Sequence, residues 1–102
     1  MERDRGFPMT LTLHDSLCVR ADVVFGLLDD ESVLLDLKTG TYFGLDAVGT
    51  RIWQLIVEHA SLARVRDIML EEYAGDPETV ERDLLELSRQ LCAKGLADIK
   101  PL

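Results

Sequence analysis

Histidine and cysteine are scarce in this chain. Two of each occur among 102 residues, His14, His59, Cys18 and Cys92. None stands at a spacing that holds a metal or forms a C-x-x-C redox pair. His59 falls at the end of an apolar helical stripe, where the helix dipole accounts for it without catalysis. Cys92 has no adjacent His to activate it, and both cysteines read as reduced thiols of a cytoplasmic protein rather than a disulfide. A phosphate-cradling Gly loop, an H-E-x-x-H helix and a nucleophile elbow are all missing. Asp29-Asp30-Glu31 lacks EF-hand spacing and reads as a solvated turn. The chain is therefore expected to be neither an enzyme nor a cofactor or metal carrier.

Basic residues are also few, 11 against 19 acidic, for a net charge of -8. Phosphate backbones demand clustered Lys and Arg, so nucleic acid is disfavoured and is not expected as a partner. No apolar run approaches the roughly 20 residues that span a bilayer, and MERDRGFPMT has no apolar stretch behind its charges. No membrane segment and no secretory signal are expected.

What the chain does have is a hydrophobic fraction of 47%, enough for one core at the usual domain size. Residues 1–9 read as a flexible N-terminal arm and residues 10–102 as a single domain. TLTLH (10–14) alternates as a short strand does. Val23–Leu28 and Val33–Leu37 are stronger strands, joined by the Asp29-Asp30-Glu31 turn. Lys38-Thr39-Gly40 turns the chain into a last strand, Thr41–Leu45, with Gly40 free to take a positive φ.

Three helices follow. Asp46 caps the first, whose stripe is Val48, Ile52, Leu55, Ile56 and His59, with Trp53 filling core. Gly49 inside it costs about 1 kcal/mol against Ala, which a close backbone contact would offset. Ser61 caps the second, with Leu62, Val65, Ile68, Met69 and Tyr73 inward and Gly75 as its stop. Asp76-Pro77 opens the third in the favoured order of cap, then Pro. Its stripe is Val80, Leu84, Leu87 and Leu91; Gly95 ends it, and Leu96 folds back. The order is α+β, a small antiparallel sheet and then three helices.

Two features point to binding. The last strand has no evident later partner, and an open strand edge accepts another peptide. It places Phe43 and Leu45 toward the helices and Tyr42 and Gly44 on the opposite face. The third helix has an apolar arc flanked by Leu85 and Cys92 on one side and by Asp83, Gln90 and Lys94 on the other.

The stretch from about Val23 to Ile99 resembles the PqqD-like precursor-peptide recognition domains, especially stand-alone ones from lasso-peptide biosynthesis. The resemblance rests on LLDLKTGTYFGLDAVGTRIWQLI, the Leu62–Tyr73 helix and the D-L-x-x-L-x-x-x-L-x-x-x-G-L run from Asp83 to Leu96. Asp46 replaces a common Asn, and Ser88 stands where a bulky apolar residue is usual. The resemblance implies a winged-helix-like module, a three-stranded antiparallel sheet followed by three helices, that does no chemistry. It binds the leader of a ribosomally made precursor as an added strand and presents it to a processing cysteine protease. Main-chain bonds along Thr41, Tyr42, Phe43 and Gly44 would hold the leader. Apolar pockets are expected at Tyr42, Phe43, Val80, Leu84 and Leu87, with Asp83 and Gln90 at the rim and Gly44 giving room for close approach.

Three alternatives remain from sequence. A PqqD-like carrier in cofactor biosynthesis would share the fold. A structural subunit would pair its own edge strand with a second copy. A winged-helix DNA-binding regulator is disfavoured, because the third helix sets Asp76, Glu78, Glu81, Asp83 and Glu86 against Arg82, Arg89 and Lys94.

Overall fold

The computed structural model describes residues 11–73 and 75–100. The expected arm at 1–9 lies outside the described residues. Among the described residues, five strands and three helices run in the order β1 (Leu17–Val19), β2 (Val23–Leu28), β3 (Glu31–Asp36), β4 (Thr41–Leu45), α1 (Ala47–His59), α2 (Leu62–Glu72), α3 (Pro77–Ala93) and β5 (Ala97–Ile99). The expected α+β architecture is present: an antiparallel β2-β3-β4 sheet followed by three helices.

A second ladder was not foreseen. β1 and β5 pair antiparallel, Leu17 opposite Ile99 and Val19 opposite Ala97. The turn at the end of α3 makes this possible. Gly95 takes a φ of 75°. Its N–H donates to the Cys92 carbonyl, while Leu96 N–H donates to that of Leu91 at 2.9 Å. This is the Schellman arrangement, and it sends the chain back across the helix end toward β1.

Thr10 of the TLTLH segment lies outside the described residues, and residues 11–14 are not a strand. Thr12 N–H donates to the Asp15 carboxylate at 2.8 Å, and Asp15 N–H donates to the Thr12 carbonyl at 3.0 Å. That side-chain bond closes a turn in competition with a ladder, and the strand begins only at Leu17. The third expected strand also shifts, from Val33–Leu37 to Glu31–Asp36. Leu37 belongs to the turn, where Asp36 accepts from Lys38 N–H and Gly40, at φ 76°, donates to the Asp36 carbonyl.

All three helix caps form as the sequence reading expects. Asp46 accepts from Gly49 N–H at 2.8 Å, Ser61 from Arg64 N–H and Asp76 from Thr79 N–H. Ile52, Trp53, Leu55 and Ile56 of α1 bury against Leu34, Leu45, Leu62, Val65, Met69, Leu84 and Leu91 in one core. Val48 and Tyr73, expected inward, are exposed, because both border the cleft described below. The second helix stops at Glu72 with Tyr73 as its cap, before Gly75. Gly49 meets side chains rather than backbone, since a Cβ there would lie 3.2 Å from an Asp46 oxygen and 3.3 Å from Leu45.

Polar links set the helix positions. Arg51 grips Glu72 with two bonds of 2.8 and 2.6 Å, tying α1 to α2. Arg66 reaches Glu81 at 2.7 Å, tying α2 to α3. A buried Ser32–Thr50 hydroxyl bond of 2.7 Å joins β3 to α1.

Candidate functional site

β4 is an edge. The sheet order ends on it, and β5 pairs with β1 instead. The direction of its peptide groups follows from the ladders. Asp29-Asp30 closes a tight hairpin at the Leu28–Glu31 pair, and Leu37 N–H donates to the Asp22 carbonyl at 3.0 Å. Odd-numbered residues of β3 therefore turn their peptide groups to β2, and even-numbered ones to β4. With Leu34 opposite Phe43 and Ser32 opposite Leu45, Phe43 and Leu45 bond inward. Tyr42 and Gly44 present N–H and C=O to the open edge.

Beside that edge a groove of about 540 Å³ separates β4 from α3. Phe43, Gly44 and Leu45 form one wall; Asp83, Glu86, Leu87 and Gln90 of α3 form the other; Val48, Gly49 and Ile52 make the floor. The cleft continues past Phe43 into a space of about 320 Å³ with Thr41, Ala93 and Lys94. At its opposite end, beyond Asp83, a smaller apolar hollow of about 150 Å³ is lined by Val80, Met69 and Tyr73. An extended peptide beside β4 would have alternate side chains entering this cleft.

The sequence-derived residues distribute unevenly. Phe43, Gly44, Asp83, Leu87 and Gln90 line the central groove; Thr41 lies at one end and Val80 at the other. Two residues expected in the pockets sit elsewhere. Leu84 is wholly buried in the core, because its direction on α3 points at α1 and α2 rather than β4. Tyr42 is 69% exposed on the outer sheet face and lines no part of the cleft.

Sequence reasoning missed Leu45, Asp46, Val48, Gly49, Ile52, Glu86 and Lys94. The strand-to-helix junction was the available signal. Asp46 caps α1 immediately after β4, so the first turn of α1 must lie under the end of the strand.

Charge along the cleft is polarised. Asp46, Asp83 and Glu86 surround the central part, and the nearest cations are only loosely engaged, Arg82 3.9 Å from Asp83 and Arg89 4.0 Å from Glu86. At the other end the Lys94 ammonium stands 5.8 Å from the Phe43 ring centroid, within cation–π range. Ser88, on the core side of α3, is fully buried and its hydroxyl has no hydrogen-bond partner among the described residues.

Cys18 and Cys92 are free thiols. Burial, with the Asp98 and Asp15 carboxylates adding to it, pushes the Cys92 thiol up, away from the reactive thiolate. Among the described residues no helix is long and apolar enough to cross a membrane.

These features define a small α+β domain with an open sheet edge beside a helix-walled cleft. Residues 31–97 match the family model described as Coenzyme PQQ synthesis protein D (PqqD), and the chain belongs to that family. Two solved structures are similar along most of their length. One, "TbiB1 in Complex with the TbiA(beta) Leader Peptide", is 49% identical with a TM-score of 0.73, covering 78% of this chain and 93% of that one. The other, "Lasso peptide synthetase B1 complexed with the leader peptide", is 28% identical with a TM-score of 0.72, covering 81% and 98%. No curated protein matches the chain.

Proposed function

We propose that this protein is a non-catalytic, cytoplasmic adaptor that binds the leader segment of a lasso-peptide precursor and presents it to a cysteine protease. The observation that carries the reading is the open β4 edge lying directly beside a cleft of mixed lining, with Phe43, Leu45, Ile52 and Leu87 for apolar side chains and Asp46, Asp83 and Glu86 around them. Peptide groups at Tyr42 and Gly44 would supply sequence-tolerant main-chain bonds, and the cleft would supply selectivity. Both similar structures hold leader peptides, which supports the reading. The likeness to a lasso peptide synthetase B1, 28% identical over 98% of that chain, favours a lasso precursor over a cofactor precursor.

Presentation requires a second surface. The outer face of the sheet has Val24, Leu35 and Tyr42 in one cross-strand row, and Leu28 and Leu37 near its ends are 64% and 60% exposed. A leader strand added at β4 would extend this face beside Tyr42. A protease seated there would touch adaptor and leader together, which gives Tyr42 a role outside the cleft.

Fluorescence-polarisation titration of labelled TbiA(beta) leader, alongside leaders from precursors encoded next to this chain, tests the reading. Saturable binding to at least one leader is expected. Failure of all of them to bind folded protein at high micromolar concentration would sink it and favour a structural subunit.

A further inference from the structure

β2 is the sheet's other edge. By the same alternation that opens Tyr42 and Gly44 on β4, residues Val23, Phe25 and Leu27 turn their peptide groups away from β3, the Val23 N–H donating to the Arg20 carbonyl at 3.3 Å. Its sequence, VVFGLL, has no charge and no proline, and its register with β3 is continuous without a bulge. The usual protections of an edge are therefore missing.

The underside of β2 is only partly covered: Val23 and Phe25 are half-buried against the core, while Leu27 is open. α1 packs beneath β3 and β4, so β2 overhangs an apolar groove of about 380 Å³ whose walls include Val19, Val23, Phe25, Trp53 and Val57. Arg20 stands at its rim. Leu27 shares the inner face with Val23 and Phe25, yet it is 53% exposed. An inward-facing leucine without cover and an apolar groove without filling thus occur on the same edge, four residues apart.

We propose that a second copy of this chain covers that edge. The two β2 strands pair antiparallel about a two-fold axis at Phe25, making a continuous six-stranded sheet. Directly opposed residues must share a sheet face, so the axis passes through a residue, and three registers compete. Centred on Phe25, the pairing sets Val23 opposite Leu27 of the second copy, and that leucine drops over the groove. Beyond the strands the same register brings Arg20 toward Asp30 of the second copy, and each lacks an ion-pair partner among the described residues. Centred on Gly26, the pairing sets Asp22 against Asp30, a repulsion repeated by symmetry. Centred on Val24, it leaves both Leu27 and Leu28 overhanging. Apolar fit and charge agree only on Phe25. β4 remains free, so both leader sites stay open at the outer edges of the dimer.

Sedimentation equilibrium of the full chain over a wide concentration range tests the proposal. The mass should rise from 11.5 kDa toward twice that value. Leu27→Lys, at an exposed position, should leave a folded monomer whose TbiA(beta) affinity is unchanged. Asp30→Arg turns two symmetry-related attractions into repulsions and should raise the dissociation constant roughly tenfold or more. Arg20→Asp combined with Asp30→Arg should restore association. A mass of one chain at every concentration overturns the proposal. So does a dimer that withstands Leu27→Lys, or one that leader peptide dissociates, because that contact would then lie on β4.

Discussion

Replacing Gly44 by proline isolates the main-chain donor on which the proposed leader binding through β4 would depend. Gly44 turns its N–H to the open edge rather than to β3, so the substitution removes no bond of the β3–β4 ladder. A Cβ there meets nothing within 4 Å, and Phe43 before it already lies in a strand, as a residue before proline prefers. Proline is tolerated on edges for this reason, and the fold should change in stability by roughly 1 kcal/mol or less. Binding should suffer more. A lost backbone bond is worth about 1 kcal/mol net, and a leader carbonyl left facing the ring adds about 1–2 kcal/mol of unmet desolvation. The sum of about 2–3 kcal/mol weakens the leader between roughly 30-fold and roughly 150-fold. Gly44→Ala keeps the donor and should stay within about threefold of wild type. Fluorescence polarisation with labelled TbiA(beta) leader reads both, after circular dichroism shows each variant folded. A folded Gly44→Pro protein with wild-type affinity refutes strand addition at β4. Equal losses in the two variants would assign the effect to bulk rather than to the donor.

Leu84 and Leu87 should separate stability from binding. Leu84→Ala removes a wholly buried side chain and should cost about 2–5 kcal/mol in urea unfolding, whereas Leu87→Ala, on the groove wall, should chiefly weaken the leader; the reverse ranking would contradict the geometry. Ser88→Ala deletes a buried hydroxyl without a partner and should raise stability by about 1 kcal/mol, a gain of roughly 4–8 °C in Tm, with leader affinity unchanged. A lower Tm would mean that the hydroxyl is satisfied in solution. The Arg51 side-chain bond, followed by its charge, holds the Glu72 carboxyl below its ordinary 4.5. A depressed carboxyl stabilises the fold above that ordinary value and loses its contribution as pH falls through the depressed one. Both side chains are 35% exposed, so the effect is under about 1 kcal/mol. Glu72→Gln should be less stable than wild type near neutrality and equal to it in acid, and a constant difference across the titration would rule the linkage out.

Much of the fold was legible because its signals are local. Asp46, Ser61 and Asp76 each accept a hydrogen bond within their own first turn, and Gly40 and Gly95 take the positive φ that their turns require. Alternation in TYFGL correctly placed Phe43 and Leu45 inward. The β1–β5 ladder was illegible for the opposite reason. Three-residue strands such as LCV and ADI carry too little periodicity to register, and their pairing joins residues 17 and 99 across the whole domain. TLTLH misled because alternation is blind to the Asp15 side chain that captures the Thr12 N–H.

The candidate site divides along the same line. The identity of the three sheet strands and the amphipathic third helix are properties of contiguous residues, set by backbone sterics and the spacing of apolar side chains, and the sequence by itself determined them; that β4 stays an edge depends on β5 pairing with β1. Which flank of α3 meets β4 is a property of how helices pack. The Arg66–Glu81 link and the burial of Leu84, Ser88 and Leu91 set the rotation of α3, so that Asp83, Leu87 and Gln90 face the strand. One rotation sends Leu84 into the core and brings Glu86 to the groove. Only the tertiary structure decided it, because the angle depends on side chains from three helices competing for one interior.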